Sequence, residues 1–250
     1  MVTGGASGVG RSIATAFINE GASVRVLDSS QQHIDDFLRK VPDAAATLCD
    51  ISIPDEVTTA FENLDKLDVL VNNAGIAGPA GKVETLDVDE WDHCIDVNLN
   101  GAFYVTRLAA RLLKQGSGGA VINIVSNAGL LGCPDRSPYA ASKWALVGLT
   151  KTWAMELGPH NVRVNAVCPT SVEGERISAV IDRDAERLGK SPDEIRKIYQ
   201  RQSSMRTFVT AEDVAAMVTF LASDKAAKVS GQVVAVDGHT ETLAVWLDPS

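Results

Sequence analysis

The segment Thr3-Gly4-Gly5-Ala6-Ser7-Gly8-Val9-Gly10 decides the fold of this chain. Its glycines at 4, 8 and 10 let the backbone turn tightly and approach a neighbour with no Cβ in the way. An amphipathic stretch, residues 10–21, follows at once and reads as a helix whose free N–H groups point back at the loop. Beyond it, residues 23–27 form a β-branched apolar run that ends in Asp28. Strand, glycine turn, helix, strand is the opening of a parallel βαβ unit. Only Met1 and Val2 precede the loop, whereas a strand usually takes about 5 residues. The expectation is that the chain as given starts part-way through its first strand, the alternative being an unusually short one.

The rhythm continues outward. Residues 47–48, 69–71, 120–125, 163–167 and 233–236 are expected strands, most of them nearly continuous in Val, Ile and Leu. Such runs are covered on both faces, which calls for a parallel sheet between helix layers. Residues 54–64, 88–115, 138–158 and 211–222 are expected helices, the last with Thr210 as its N-cap. Joined by right-handed crossovers, these elements give an α/β, doubly wound sheet. Residues 174–208 break the rhythm with a charged stretch that reads either as a solvated helical pair or as a lid over a bound substrate.

Composition bounds the class. With 250 residues, 45% of them apolar and 22% charged, the chain suits one globular domain. Its 23 basic and 32 acidic residues leave a net charge of −9, which repels nucleic acid. No apolar run reaches the ~20 residues of a membrane span, and the start shows no basic stretch followed by an apolar core. Cys49, Cys94, Cys133 and Cys168 match no zinc or CxxC spacing and read as small buried hydrophobes. A cytoplasmic protein with no metal, nucleic-acid or membrane partner is expected.

A glycine loop before a helix N-terminus suits a pyrophosphate. Asp28 lies 18 residues beyond Gly10, where a carboxylate can accept from both hydroxyls of an adenosine ribose and would repel a 2′-phosphate. Ser7, Ser29 and Ser30 offer no base nearby, and His33 is largely neutral at pH 7. The expected cofactor is therefore NAD, held by Gly4, Ser7, Gly8, Val9, Gly10, Asp28 and Ser29. Farther on, Tyr139 and Lys143 in YAASK stand one helical turn apart on one face. A free tyrosine, with a pKa near 10, is a poor base, but an adjacent ammonium favours the phenolate.

These motifs, with three more, carry a family resemblance. Asp50-Ile51 follows the third strand, NNAG spans Asn72 to Gly75, and Asn98 stands in DVNLNG. Ser126 precedes Tyr139 by 13 residues. In kind, order and spacing the chain resembles the short-chain dehydrogenase/reductase family over nearly its whole length. The resemblance implies a Rossmann-type, three-layer sheet of about seven strands in a single domain, 1–250, with its lid at about 174–208. It implies that Asp50 and Ile51 meet the adenine, and that Asn73, Ala74, Gly75, Pro169 and Val172 line the cofactor. Tyr139 would act as general acid/base, Ser126 would hold the reacting oxygen, and Lys143 would lower the Tyr139 pKa and bind the ribose. Asn98 would order a relay water. Thr170 and Gly174 depart from the family, which has glycine and threonine at these places.

The implied activity is NAD-dependent interconversion of a secondary alcohol and a ketone. The pocket would be lined by residues 127–130, Cys133, Pro134, the loop 76–81 and the lid. Asn127, Glu173 and the lid arginines, Arg176 and Arg206 among them, point to a polar or anionic small molecule such as a sugar, polyol or hydroxy acid. Alternatives are a 3-oxoacyl-thioester reductase and, from another class, a non-catalytic NAD(H)-sensing protein. A homotetramer is expected, with Trp91, Tyr104, Trp144 and Trp153 either at an interface or in the core. Val245, Trp246 and Leu247 are expected to dock on a neighbouring subunit or the lid.

Overall fold

The computed structural model describes residues 1–243. Seven strands form one all-parallel sheet in the order β3-β2-β1-β4-β5-β6-β7. They are β1 Val2–Thr3, β2 Arg25–Asp28, β3 Ala45–Leu48, β4 Val69–Asn72, β5 Gly119–Ile124, β6 Val162–Pro169 and β7 Val233–Val236. The helices are α1 Gly8–Asn19, α2 Gln31–Lys40, α3 Pro54–Phe61, α4 Val88–Ile95, α5 Gly101–Gln115, α6 Ser137–Leu157, α7 Glu175–Leu188, α8 Pro192–Arg201 and α9 Ala211–Ala222.

Successive strand residues serve opposite faces, and both faces are buried. Val26, Val71 and Ile122 face one core with Ile13 of α1, Phe37 of α2 and Val218 of α9. Their neighbours Leu27, Leu70 and Val121 face the other with Val57 of α3, Val105 and Leu113 of α5, and Trp153 of α6. That is why the strands read as unbroken apolar runs.

The first strand, as described, is Val2–Thr3, paired with β2 on one side and β4 on the other. Two helix expectations need correction. Helix α2 was not expected, because QQHIDDFLRK is mostly polar and buries only Ile34 and Phe37, three residues apart. The expected helix 88–115 is interrupted by a π-helical turn, Asp96–Asn100, between α4 and α5. Such a turn widens the spiral by one residue, and apolar periodicity across it does not betray it. Of the aromatic side chains set between core and interface, Trp153 is in the core and Trp144 is 50% exposed. Val245, Trp246 and Leu247 lie outside the described residues.

A buried polar ladder ties the two long helices through the sheet. Asn72 of β4 donates to Thr106 of α5 and to the Asn123 carbonyl on β5, each at 2.8 Å. Asn123 donates in turn to Thr150 of α6 at 2.8 Å. All four residues are buried, so the ladder is costly to break. Asn123→Ala leaves Asn72 and Thr150 without their partner and should lower unfolding free energy by about 2–4 kcal/mol, measured by urea denaturation. A loss below about 0.5 kcal/mol would mean that water replaces the amide at no cost.

Candidate active site

Strand order reverses beside β1, where the connections from β1 and β4 leave the sheet on opposite faces, and a ligand crevice opens there. A cleft of about 1350 Å³ runs across these strand ends from the glycine loop to α7. That is enough for a dinucleotide and a small second molecule.

At one end, Ser7 is the N-cap of α1 yet makes no side-chain cap bond, so the first N–H groups of the helix remain available to a ligand. Gly10 cannot be larger: a Cβ there would sit 2.0 Å from the Gly4 carbonyl oxygen. Asn73 donates through Nδ2 to the carbonyls of Thr3 and Gly4, both at 3.0 Å, and so fixes the loop from β4. Its side chain is spent on the loop's backbone, a role that sequence spacing did not reveal.

Asp28 ends β2 as a buried carboxylate. It accepts from the N–H groups of Ala6 and Ser30, both at 3.1 Å, and lies 3.7 Å from His33 Nδ1. Ser29 beside it is exposed and lines the cleft. Asp50 accepts from the N–H and hydroxyl of Ser52, and the buried Ile51 packs against Gly101. Ala74, Gly75, Pro169 and Val172 also border the cleft. These residues fit a nicotinamide dinucleotide: an uncapped helix end for its phosphates, a carboxylate for its ribose, and an apolar side wall for its base.

The four candidate catalytic residues converge farther along. Ser126 follows β5, accepts from the Ala128 N–H at 3.2 Å and hydrogen-bonds Tyr139. Lys143 is buried, donates to the Ile124 carbonyl at 3.0 Å, and holds its ammonium 5.6 Å from the centre of the Tyr139 ring. Burial drives the Tyr139 pKa up, but Lys143, Arg176, the Ser126 hydrogen bond and Arg136 outweigh it and leave the phenol below its ordinary value. Burial lowers the Lys143 pKa, against the pull of Tyr139.

Asn98 sits in the π-helical turn with its amide facing the loop after β4. It accepts from the Ile76 N–H at 2.7 Å and donates to the Ile76 carbonyl at 3.0 Å. A Cβ on Gly75 would lie 3.0 Å from Asn98 Oδ1 and 3.6 Å from Lys143 Nζ, so both side chains meet at that glycine.

The charged segment is a helical pair, α7 and α8, with its own small core of Ile177, Ile181, Ile195 and Phe208. Arg187 of α7 bridges Asp135 at 3.1 Å, and Lys82 holds the same carboxylate at 2.9 Å. The pair borders the cleft through Arg176, Ile177, Val180 and Arg187 and is exposed to solvent on its outer side. Its polar residues are not all aimed inward. Arg206 is exposed beside Glu241 at 3.8 Å and does not line the cleft, and Glu173 is paired with Arg196. Asn127 lines the cleft as a buried residue, and its amide donates to Asp237 and Thr240. Burial raises the Cys168 thiol to about 11 and pushes Cys133 up as well, so neither is a nucleophile at neutral pH.

A family model described as enoyl-(acyl carrier protein) reductase matches residues 4–239. The 3-oxoacyl-[acyl-carrier-protein] reductase FabG of Thermotoga maritima is 35% identical over 246 residues, which covers 95% of each chain. Among solved structures, NAD+-bound xylitol dehydrogenase matches with a TM-score of 0.87 at 25% identity, covering 94% of this chain and 95% of that one. An actinorhodin polyketide ketoreductase variant with NADPH matches at 0.89 and 30% identity, covering 95% and 94%. Fold, cleft and relatives define an oxidoreductase of the alcohol dehydrogenase type that works with a nicotinamide cofactor. The chain belongs to the short-chain dehydrogenase/reductase family. No helix among the described residues is long and apolar enough to cross a membrane.

Gly174, one of the two departures from the family pattern, is the N-cap of α7 with a φ of 143°. A side chain is strained there even though a Cβ would meet nothing within 4 Å. Thr170 is instead tied to the Thr240 hydroxyl at 3.3 Å. Gly174→Thr, which restores the family residue, should cost about 1–3 kcal/mol and speed proteolysis within 174–205. Equal stability and unchanged digestion would show that the turn relaxes freely.

Proposed function

We propose that this protein is an NAD-dependent dehydrogenase that interconverts a secondary alcohol and a ketone on a polar small molecule. The observation that carries the reading is Tyr139 held between the Ser126 hydroxyl and the Lys143 ammonium, with its pKa driven down. In oxidation the Tyr139 phenolate takes the hydroxyl proton while the carbinol C–H bond breaks. A nicotinamide held in the cleft would supply the acceptor for that hydrogen and its bonding electron pair. Ser126 donates to the substrate oxygen and keeps it within reach of Tyr139. Lys143 keeps positive charge near the phenolate and binds the nicotinamide ribose, and Asn98 holds a relay water beside Lys143. Pro169 and the Val172 backbone border the nicotinamide, with Asp50 and Ile51 at the adenine.

Asp28 supports NAD over NADP, because its carboxylate is held at the end of β2 between the glycine loop and the Ser30 turn, where an adenosine ribose would meet it and a 2′-phosphate would be repelled. The relative named as a 3-oxoacyl-thioester reductase favours a second reading, reduction of an acyl-carrier thioester. Cofactor choice separates the two. The same proposal makes the chain a single-domain cytoplasmic homotetramer. Free cysteines and the exposed Phe103 and Trp144 on α5 and α6 support it.

Purified protein should form NADH from a polyol, sugar or hydroxy acid, and Tyr139→Phe should lower kcat by about 10²- to 10⁴-fold. Oxidation needs the phenolate, so kcat/KM should rise with pH and level off above a pKa below 10, while reduction declines over the same range. A flat profile would remove Tyr139 from the proton transfer. Asp28→Ala should cut the preference for NAD over NADP by at least about tenfold, since hydrogen bonds to a charged group contribute roughly 1.5–3 kcal/mol. An unchanged ratio would place cofactor selection elsewhere.

A further inference from the structure

The chain carries a net charge of −9, yet three cations surround the Tyr139 ring. Arg136 Cζ, Lys143 Nζ and Arg176 Cζ lie 5.3, 5.6 and 6.0 Å from its centre. Lys143 is accounted for by the proposed mechanism. The two arginines are not.

Both line the cleft from different elements, Arg136 just before α6 and Arg176 in the first turn of α7. Arg136 donates to the Ala77 carbonyl at 2.8 Å and Arg176 to the Gly75 carbonyl at 3.3 Å. Those acceptors are two residues apart, within about 7 Å along any chain, so the guanidinium groups flank one short loop. Arg187, Arg196 and Arg206 are each met by a carboxylate. Among the described residues no carboxylate lies within ion-pair distance of Arg136 or Arg176, and Arg136 Nε is buried with no partner. Several of their N–H donors are therefore left over beside the reacting centre. Arg136 is partly buried, where an uncompensated cation is costly, Arg176 stands exposed at the cleft wall, and a planar oxyanion matches the fork of either guanidinium.

We propose that Arg136 and Arg176 form an anion-binding subsite beside Tyr139, which selects alcohols and ketones carrying a compact acidic head, a carboxylate or a sulfonate. This rests on the dehydrogenase reading above and narrows its substrate class. Because Arg176 belongs to α7, such a head group also joins the helical cover to the loop before α6.

Three ketones on one scaffold test it: acetoacetate, 2-oxopropane-1-sulfonate and the uncharged acetoacetamide. NADH consumption gives kcat/KM for each, and the acid-to-amide ratio cancels any effect that a variant has on Tyr139 itself. Calorimetric binding to the Tyr139→Phe protein with NADH gives affinities without turnover. At least one acid should be preferred over the amide by tenfold or more. Arg136→Gln and Arg176→Gln should each lower that ratio and the acid's affinity at least tenfold. Arg176→Lys should restore part of both and guards against a folding defect. The better acid distinguishes carboxylate from sulfonate.

Ratios and affinities that stay put in both glutamine variants, or a preference for the amide, would overturn the subsite. If the amide or other neutral ketones still turn over and Tyr139→Phe is inactive, the dehydrogenase reading stands without it. Arginine-dependent acid binding with no turnover on NADH or NADPH would retain the subsite and overturn the dehydrogenase reading instead.

Discussion

One hydroxyl and one amide hold the switch point of the sheet. β1, described as Val2–Thr3, is tied to its neighbours by side chains as well as by its ladder. Thr3 Oγ1 accepts from the N–H groups of Asn73 and Ala74, both at 3.0 Å, while the Asn73 amide returns two bonds to Thr3 and Gly4. On the other side, Gly4 donates to the Leu27 carbonyl at 2.7 Å and Ala6 to Asp28. Each such bond contributes about 1 kcal/mol net, but their joint effect is geometric. They make the glycine loop, the Asp28 carboxylate and the start of the loop after β4 one rigid piece, so the phosphate and ribose contacts proposed there would be set together.

A second piece is built the same way around Asn98. The π-helical turn aims its amide at both backbone groups of Ile76. The same amide donates to Ser142 at 3.3 Å, whose hydroxyl donates to the Tyr139 carbonyl at 2.7 Å. The loop after β4 is thus fastened to the helix that carries Tyr139 and Lys143. The ladder Thr106–Asn72–Asn123–Thr150 joins the same helices lower in the sheet. Local helical irregularity at Asn98 costs little because its polar groups are all engaged.

Most of the sheet was legible because its strands are buried on both faces and say so in runs of Val, Ile and Leu. The short spacings of the site were legible too, since TGGASGVG, NNAG and YAASK each act within one turn or loop. Asp28 could be placed because it ends a strand whose start the glycine loop fixes. What stayed hidden depended on partners distant in sequence. Asn127 lines the cleft as expected, but its amide N–H groups are engaged by Asp237 and Thr240, partners distant in sequence. Arg206 read as a substrate contact, but it turns outward beside Glu241. The π-helical turn has no apolar signature, and α2 is mostly polar, its few apolar residues Ile34, Phe37 and Leu38 gathered on one face. Gly174 differs from its family because of a backbone angle, which composition does not record.

The opposing forces on Tyr139 explain why the site needs so much charge. Burial alone would hold the phenol protonated and useless as a base at neutral pH. Lys143 is the strongest charge opposing this, although burial and then the Arg176 guanidinium weaken its own hold on a proton. Arginine does not share that weakness, since its guanidinium stays charged across the whole working range. Arg136 and Arg176 add their fields where the ammonium is least secure, and Arg176 brings its charge in with α7. An anionic head group on these arginines would offset part of that field as it binds and move the phenol back toward its protonated form. An acidic substrate would then set the proton affinity of Tyr139 as well as fill its pocket, which links recognition at the arginines to the proton transfer one residue cluster away.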